Sequence, residues 1–228
     1  MRYRGLPTWL QAALWVAFAG AVTILLAEFV PRAVSTAGQL LEREPAKVPW
    51  ILSRVLAFLS YGALAASSIY GLAMTTRLLD VIARRVVSSA LHELLSIWGL
   101  GLGIAHAVVL LFDDFIKFSW SSILVPGAAP YRPDAVAYGV FGLYLVVLLV
   151  ATSKLRRHIG LRLWRIVHLL SFTTFALLTA HGLAAGSDSG EPWARWIYVA
   201  ATTLVAFFLA VRILRKATGA DADRVGAR

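Results

Sequence analysis

Residues 87–112 read VSSALHELLSIWGLGLGIAHAVVLLF, an almost unbroken apolar run that contains two histidines, His92 and His106. The run is longer than the roughly 20 apolar residues that a helix needs to cross the hydrocarbon core of a membrane. An ionisable side chain inside such a span is costly and is usually kept for a function. The run therefore predicts a membrane-spanning helix with two candidate site residues.

The composition of the whole chain is also that of a membrane protein. Of its 228 residues, 59% are hydrophobic and 15% are charged, and the mean hydropathy is +0.74. Soluble domains carry about a quarter charged residues. We expect an all-α integral membrane protein: a six-helix transmembrane bundle over residues 1–216 and a disordered cytoplasmic tail over residues 217–228. The stretches that are apolar enough to span a bilayer are residues 10–29, 55–74, 91–112, 135–151, 166–185 and 193–211.

Basic residues are divided unequally between the two sets of span ends. The ends on the side of the two termini carry most of the 22 Lys and Arg residues, and residues 154–165 alone contain five. By the positive-inside rule both termini are expected in the cytoplasm, in a multi-pass protein of the inner (plasma) membrane. The net charge of +10 then reflects topology and contact with anionic lipids, and we expect no nucleic-acid partner.

Four of the five histidines lie inside two spans. His92 and His106 are in the third span and His168 and His181 in the fifth, whereas His158 lies in the basic loop KLRRHIG and is expected to be solvated. The third and fifth spans run in the same direction, and their histidine spacings rise about 21 Å and about 19.5 Å. We therefore expect an inner level formed by His92 and His168 and an outer level formed by His106 and His181.

Two imidazoles at each level suit an axially ligated haem better than a zinc ion. Zinc takes three or four protein ligands, and Glu93 is the only other ligand type near either level. Haem iron needs only axial ligands, because the porphyrin supplies the rest. The chain has no cysteine, which excludes disulfides, iron–sulfur clusters and covalent c-type attachment. We expect two b haems, with the iron ligands His92, His106, His168 and His181.

Two neighbours of these histidines are further candidates. At 100° per residue His92 and His106 lie about 40° apart on one helix face, and Gly99 lies on that face midway between them. Gly99 is expected either to let a haem approach the backbone or to serve ordinary helix packing. Phe175 follows His168 by seven residues and is expected to fill the gap between the haems, or to be a core residue.

The fifth span has a spacing that an ideal helix does not accommodate. His168 and His181 would lie about 140° apart. We expect the helix to be overwound or bent near Thr173 and Thr174, or His181 to lie where regular helix ends.

The paired spacings His92-x13-His106 and His168-x12-His181, with the six-helix layout, resemble the ferric reductase-like transmembrane domain of ferric reductases and NADPH oxidases. The resemblance covers residues 10–212. It implies electron transfer through two stacked b haems to an acceptor on the outer side. In larger relatives a cytoplasmic flavin and NADPH domain feeds the haems. No GxGxxG turn follows a predicted strand here, so the expected donor is a separate flavoprotein carrying FAD or FMN, or a quinone.

The chain is also similar to the haem-binding membrane subunit of periplasmic methionine sulfoxide reductase. Arg84 and Arg85 precede the third span, and Trp164 accompanies His168 in the fifth. The alternative function is thus electron delivery to such a periplasmic partner, although a histidine at the position of His92 is not typical of that subunit.

A histidine-relay transporter is the alternative from another class of protein. Such a protein needs polar helix breaks or carboxylates at mid-depth, and the spans offer only Glu28 and Glu93 near their ends.

Arginines near each level are candidate partners of haem propionates. For any single one, a topology charge or a lipid contact is the more common explanation. The candidates are Arg84, Arg85, Arg162 and Arg165 at the inner level and Arg132 and Arg195 at the outer level.

Overall fold

The computed structural model describes residues 45–75 and 85–218, and every regular element among them is helical. The predicted first span and all but the first two residues of the predicted tail lie outside these ranges. Short 3₁₀ turns, Pro45–Lys47 and Leu110–Phe112, precede α1 and follow α2. The helices are α1 (Val48–Thr75), α2 (Arg85–Val109), α3 (Trp120–Leu124), α4 (Pro133–Lys154), α5 (Arg156–Ile159), α6 (Leu161–His168), α7 (Leu170–Ala185) and α8 (Pro192–Ala217).

Five helical segments are long and apolar enough to cross a membrane, with α6 and α7 forming one of them. They coincide with the second to sixth predicted spans, so the described part of the chain is a multi-pass helical bundle. Large apolar side chains such as Trp98, which is 61% exposed, cover its outer surface. An apolar surface of this extent suits lipid rather than water. The first span and the sides of the termini stay predictions.

Three spans begin with a proline in the first helical turn: Pro49 in α1, Pro133 in α4 and Pro192 in α8. The first turn of a helix has no partner for its N–H groups, so a proline there loses no hydrogen bond and sets φ correctly. α1 starts seven residues before the apolar run that predicted it, because Arg54 interrupts that run but not the helix.

α1 and α2 pack side by side as antiparallel neighbours. A Cβ on Gly99 would lie 2.6 Å from Cγ of Leu64, so this glycine permits the close approach of the two helices. α4 and α7 form a second close pair, in which a Cβ on Gly142 would lie 2.7 Å from Cδ2 of Leu178. The histidine-bearing helices α2 and α7 therefore each pack closely against one neighbouring helix, α1 and α4, respectively.

The fifth span is tightened at Leu169, directly after His168. The Leu169 N–H lies 3.3 Å from the Arg165 carbonyl and 3.2 Å from that of Ile166, and Phe172 N–H bonds Leu169 O at 3.2 Å. Bonds to the third preceding residue are 3₁₀ bonds, which turn the chain about 20° more per residue than an α-helix does. The extra rotation brings His168 and His181 closer to the same face of the span.

The expected overwinding is present, but its predicted position was wrong. Thr174 lies in regular helix and its hydroxyl bonds the Leu170 carbonyl at 2.9 Å. The idea that His181 marks the helix end was also wrong, because α7 continues to Ala185. Nothing in the sequence distinguishes Leu169 from its leucine neighbour, which is why the site of tightening was missed.

The loop between α2 and α4 folds back over one end of the bundle. Its first turn is held by the buried Asp113 carboxylate, which accepts hydrogen bonds from the N–H groups of Phe115 and Ile116 at 2.9 and 2.7 Å. Ser119 and Ser122 then form a capping box that starts α3. The loop side chains that line the cavity around His106 and His181 are Leu110, Phe118, Ile123 and Tyr131.

Candidate paired-histidine site

The four half-buried histidines of the two spans form two pairs. The ring centroids of His92 and His168 lie 6.2 Å apart, and those of His106 and His181 also lie 6.2 Å apart. These are the pairs that the sequence spacings predict. Along α2 the pairs are separated by a rise of about 21 Å.

The gap between the rings has the width of one metal ion held by both of them. Metal–imidazole bonds are about 2 Å long, and a ring nitrogen lies about 1.1 Å from its ring centroid, so the two centroids should be about 6 Å apart. A direct hydrogen bond between imidazoles would bring them closer. Among residues 45–75 and 85–218, no three His, Asp or Glu side chains converge as a larger ligand set.

Hydrogen bonds fix the proton position on three of the four imidazoles. The Nδ1 atoms of His92, His106 and His181 lie 2.9 Å from the backbone carbonyls of Ser67, Ser53 and Ala135, respectively. A carbonyl only accepts, so Nδ1 carries the proton in each case. The Nε2 lone pair is then free, which is the state in which histidine binds a metal.

His168 is held differently. Its Nδ1 atom is buried and has no hydrogen-bond partner among the described residues. The ring instead stacks on Trp164, with centroids 5.0 Å apart and planes 29° apart. Trp164 Nε1 in turn donates to Ser153 Oγ at 3.3 Å. Stacking, rather than a fixed Nδ1 proton, orients this imidazole.

A row of serines on α1, which the sequence reasoning did not notice, faces the histidines of α2. Ser53, Ser60 and Ser67 recur every seventh residue and are only 2%, 7% and 4% exposed. Polar residues repeating at this spacing in an apolar span were the available signal. We call these three residues the serine ladder. Their hydrogen-bonded partners on α2 are His106, Gly99 and His92, in that order.

Two glycines make room for the imidazole rings. A Cβ on Gly139 of α4 would lie 2.8 Å from His181 Cε1, and one on Gly71 of α1 would lie 3.2 Å from His92 Cε1. Gly99, the glycine expected from the sequence, instead lies against α1 and also borders the cavity of His106.

Each histidine pair borders a cavity. Following the predicted orientation, we call the cavity around His106 and His181 outer and the one around His92 and His168 inner. The outer cavity measures about 180 Å³ and the inner about 1200 Å³. The residues that line both and separate them are Tyr61, Leu64, Val146 and Leu178.

Phe175 lies on the inner side of this partition. Its ring stacks on Tyr61, with centroids 6.2 Å apart and planes 28° apart. Tyr61 in turn contacts Tyr198, at 4.9 Å between centroids, and its hydroxyl lies 3.0 Å from Thr179 Oγ1. An aromatic cluster thus fills the space between the two histidine levels.

Basic side chains surround the inner cavity. Of the arginines named from sequence, Arg165 lines it and Arg162 does not. Arg85 begins α2 without a described side chain, and Arg84 lies outside the described residues. Lys154, at the same cavity, forms an ion pair with Glu93. The cationic residues lining the inner cavity are Lys154, Arg156, Arg157, Arg165 and Arg212.

The outer cavity contains a different arginine from those named by sequence reasoning. Arg54 of α1 lines it and is paired with Asp188, with Nε 2.6 Å from Oδ2. Arg132 donates instead to the Ala184 carbonyl at 2.7 Å, and Arg195 Nε donates to a loop carbonyl at 3.1 Å. Neither of these two lines the outer cavity.

No family model, curated protein or solved structure matches the chain. The case for a function therefore rests on the histidine pairs and their surroundings.

Proposed function

We propose that this protein carries electrons across the membrane through two b haems, one held by His92 and His168 and one by His106 and His181. The observation that carries the proposal is the equal 6.2 Å separation of two imidazole pairs that come from the same two spans. Edge-to-face ring packing also covers this distance, and what favours a ligand set is the recurrence of the pair at two levels of the same two spans.

The donor chemistry of the residues fits the haem. Three imidazoles donate from Nδ1 to a backbone carbonyl, which leaves Nε2 as an iron ligand and makes it more basic. When bound, each haem supplies a one-electron ferric–ferrous couple. His92 with His168 and His106 with His181 would hold the two haems, which would then supply electron transfer without bond formation at the metal.

The surrounding side chains have separate tasks. Arg165 and its basic neighbours would offset the negative propionates at the inner level, whereas the charge of Arg54 at the outer level is balanced by Asp188. Leu64, Val146 and Leu178 present apolar side chains between the two levels, which would limit the entry of water there. Phe175 and Tyr61 fill the intervening space with aromatic rings.

The electron donor is expected at the inner level. A nicotinamide transfers hydride, a two-electron unit, whereas a haem accepts one electron, so a flavin or quinone is needed between them. We propose a separate flavoprotein carrying FAD or FMN, or a quinol, and the basic lining of the inner cavity suits an anionic flavin. The acceptor lies on the outer side and is ferric ion in the ferric reductase-like case.

A second candidate function is delivery of electrons to a periplasmic methionine sulfoxide reductase-type partner. It is favoured by the stack of Trp164 on His168, at 5.0 Å between centroids, since these residues carried that resemblance. The two candidates share the haems and differ in the acceptor.

Haem content tests the proposal. The chain is produced with an ample haem supply and purified in detergent, and haem per chain is measured with the reduced-minus-oxidised spectrum. We expect two b haems per chain with low-spin spectra, reducible by dithionite or reduced flavin but not by NADPH alone. A colourless protein that also fails to take up added haem would refute the proposal, and histidine-dependent transport by that protein would favour the relay transporter.

A further inference from the structure

We infer that two members of the serine ladder, Ser53 and Ser67, are positioning residues, each of which orients one axial histidine and tunes its haem independently of the other. The inference rests on the proposed function. It concerns residues that lie on a helix without any histidine of its own, and each contact spans the interface between α1 and α2.

At the outer level Ser53 makes three contacts with His106. Its Oγ lies 2.8 Å from His106 Nδ1 and 3.2 Å from the His106 carbonyl, and the Ser53 carbonyl lies 2.9 Å from the same Nδ1. One set of proton positions satisfies all three contacts. Nδ1–H is shared between the serine carbonyl and Oγ, and the hydroxyl proton is donated to the histidine carbonyl.

The same arrangement recurs at the inner level. Ser67 Oγ lies 2.9 Å from His92 Nδ1 and 3.2 Å from the His92 carbonyl, and the Ser67 carbonyl lies 2.9 Å from Nδ1. Ser96 extends this network, because its hydroxyl lies 2.7 Å from Ser67 Oγ and donates to the His92 carbonyl at 2.8 Å. Two sites 14 residues apart thus hold their imidazoles by the same contacts.

Ser60 separates this role from helix packing. It lies midway on the same face and is equally buried, but its hydroxyl donates to the Gly99 carbonyl at 2.7 Å and contacts no histidine. All three hydroxyls donate to a backbone carbonyl of α2, so the helix-joining contact is common to them, and the contact with an imidazole is what Ser53 and Ser67 add to it. A hydroxyl that accepts from Nδ1–H also raises the basicity of the iron ligand, which stabilises the ferric state.

The test compares Ser53→Ala, Ser67→Ala and Ser60→Ala in the full haem-loaded chain. The readouts are the low-spin electron paramagnetic resonance signal and the midpoint potential of each haem, assigned with variants that lack one histidine pair. We expect Ser67→Ala to shift only the inner haem, to a more positive potential, and to weaken its retention on the order of tenfold. Ser53→Ala should do the same only at the outer haem.

Threonine variants and Ser60 complete the design. Ser53→Thr and Ser67→Thr keep the hydroxyl and should restore the signals, while Ser60→Ala should leave both haems unchanged. If all three alanine variants lower thermal stability alike and neither signal moves, the serines only pack and the inference is wrong, although the two-haem function stands. A wild-type chain that binds no haem overturns both, before any serine is changed.

Discussion

The outer and inner histidine levels differ in how firmly their imidazoles are held. At the outer level both rings donate from Nδ1, His106 to Ser53 and His181 to Ala135, beside a cavity of about 180 Å³. At the inner level only His92 has such an acceptor, and the cavity is about 1200 Å³. The two imidazole pairs thus have the same ring separation, although the outer pair borders a small cavity and the inner pair a large one.

The two levels also differ in charge, which is balanced at the outer level and positive at the inner level. The outer cation, Arg54, is already paired with Asp188, whereas the five basic residues that line the inner cavity share one acidic residue of that lining, Glu93, which pairs with Lys154 and also interacts with Arg156. Uncompensated positive charge around a large cavity suits binding of an anionic group from outside the bundle. Under the proposed function, this difference favours the inner level as the place where electrons enter.

The largest expected effect comes from removing histidines in pairs. His92→Ala with His168→Ala should empty the inner level and leave one low-spin haem per chain, because the outer pair is untouched. His92→Ala with His181→Ala removes one ligand from each level, so both haems should be lost or perturbed. Haem per chain and the optical spectrum measure both outcomes. One undisturbed haem in the mixed variant and none in the inner variant would contradict the assignment of the pairs.

The sequence carried enough information to pair the histidines but not to show what holds them. Spacings of 14 and 13 residues on two spans of the same direction determine the levels, because helical rise is fixed. The contact of Ser53 with His106 depends on the register between α1 and α2, which is set by packing at residues such as Gly99 and Leu64.

Contacts between distant segments were the other class of feature that the sequence did not yield. Arg54 and Asp188 are 134 positions apart, and nothing local to either indicates the other. The spacing of His168 and His181 predicted that the helix is overwound somewhere between them. The overwinding occurs where the Leu169 N–H also bonds the third preceding carbonyl, and the apolar residues around Leu169 do not indicate that position.

A smaller effect, on the order of tenfold in haem retention, is expected where glycines adjoin the rings. Gly139→Ala places a methyl group 2.8 Å from His181 Cε1, and the bond to the Ala135 carbonyl prevents the ring from yielding. Gly71→Ala meets His92 Cε1 at 3.2 Å beside the larger cavity, so the inner haem should be affected less. Titration of each variant with haem measures the difference.

Gly62→Ala is the matched control for these glycine variants, because a Cβ there meets no atom within 4 Å. It should bind both haems as the wild type does. Equal loss at the two levels in Gly139→Ala and Gly71→Ala would show that the tight and roomy sites do not differ in the way proposed.

The smallest expected effect concerns the basic lining of the inner cavity. Arg165 and Arg162 lie on the same short helix, α6, but only Arg165 lines the cavity. A charge-assisted contact at such a site contributes about 1 kcal/mol, which is about fivefold in Kd. Arg165→Ala should therefore weaken haem binding at the inner level about fivefold and leave the outer level unchanged, whereas Arg162→Ala should change neither. Haem titrations in the background that lacks the outer pair, His106→Ala with His181→Ala, isolate the inner site.

Raising the salt concentration should reduce the difference between the two arginine variants, since the charges are partly exposed. If both variants weaken binding equally, α6 acts only through its total charge, and the inner cavity has no specific anion-binding side chain at position 165.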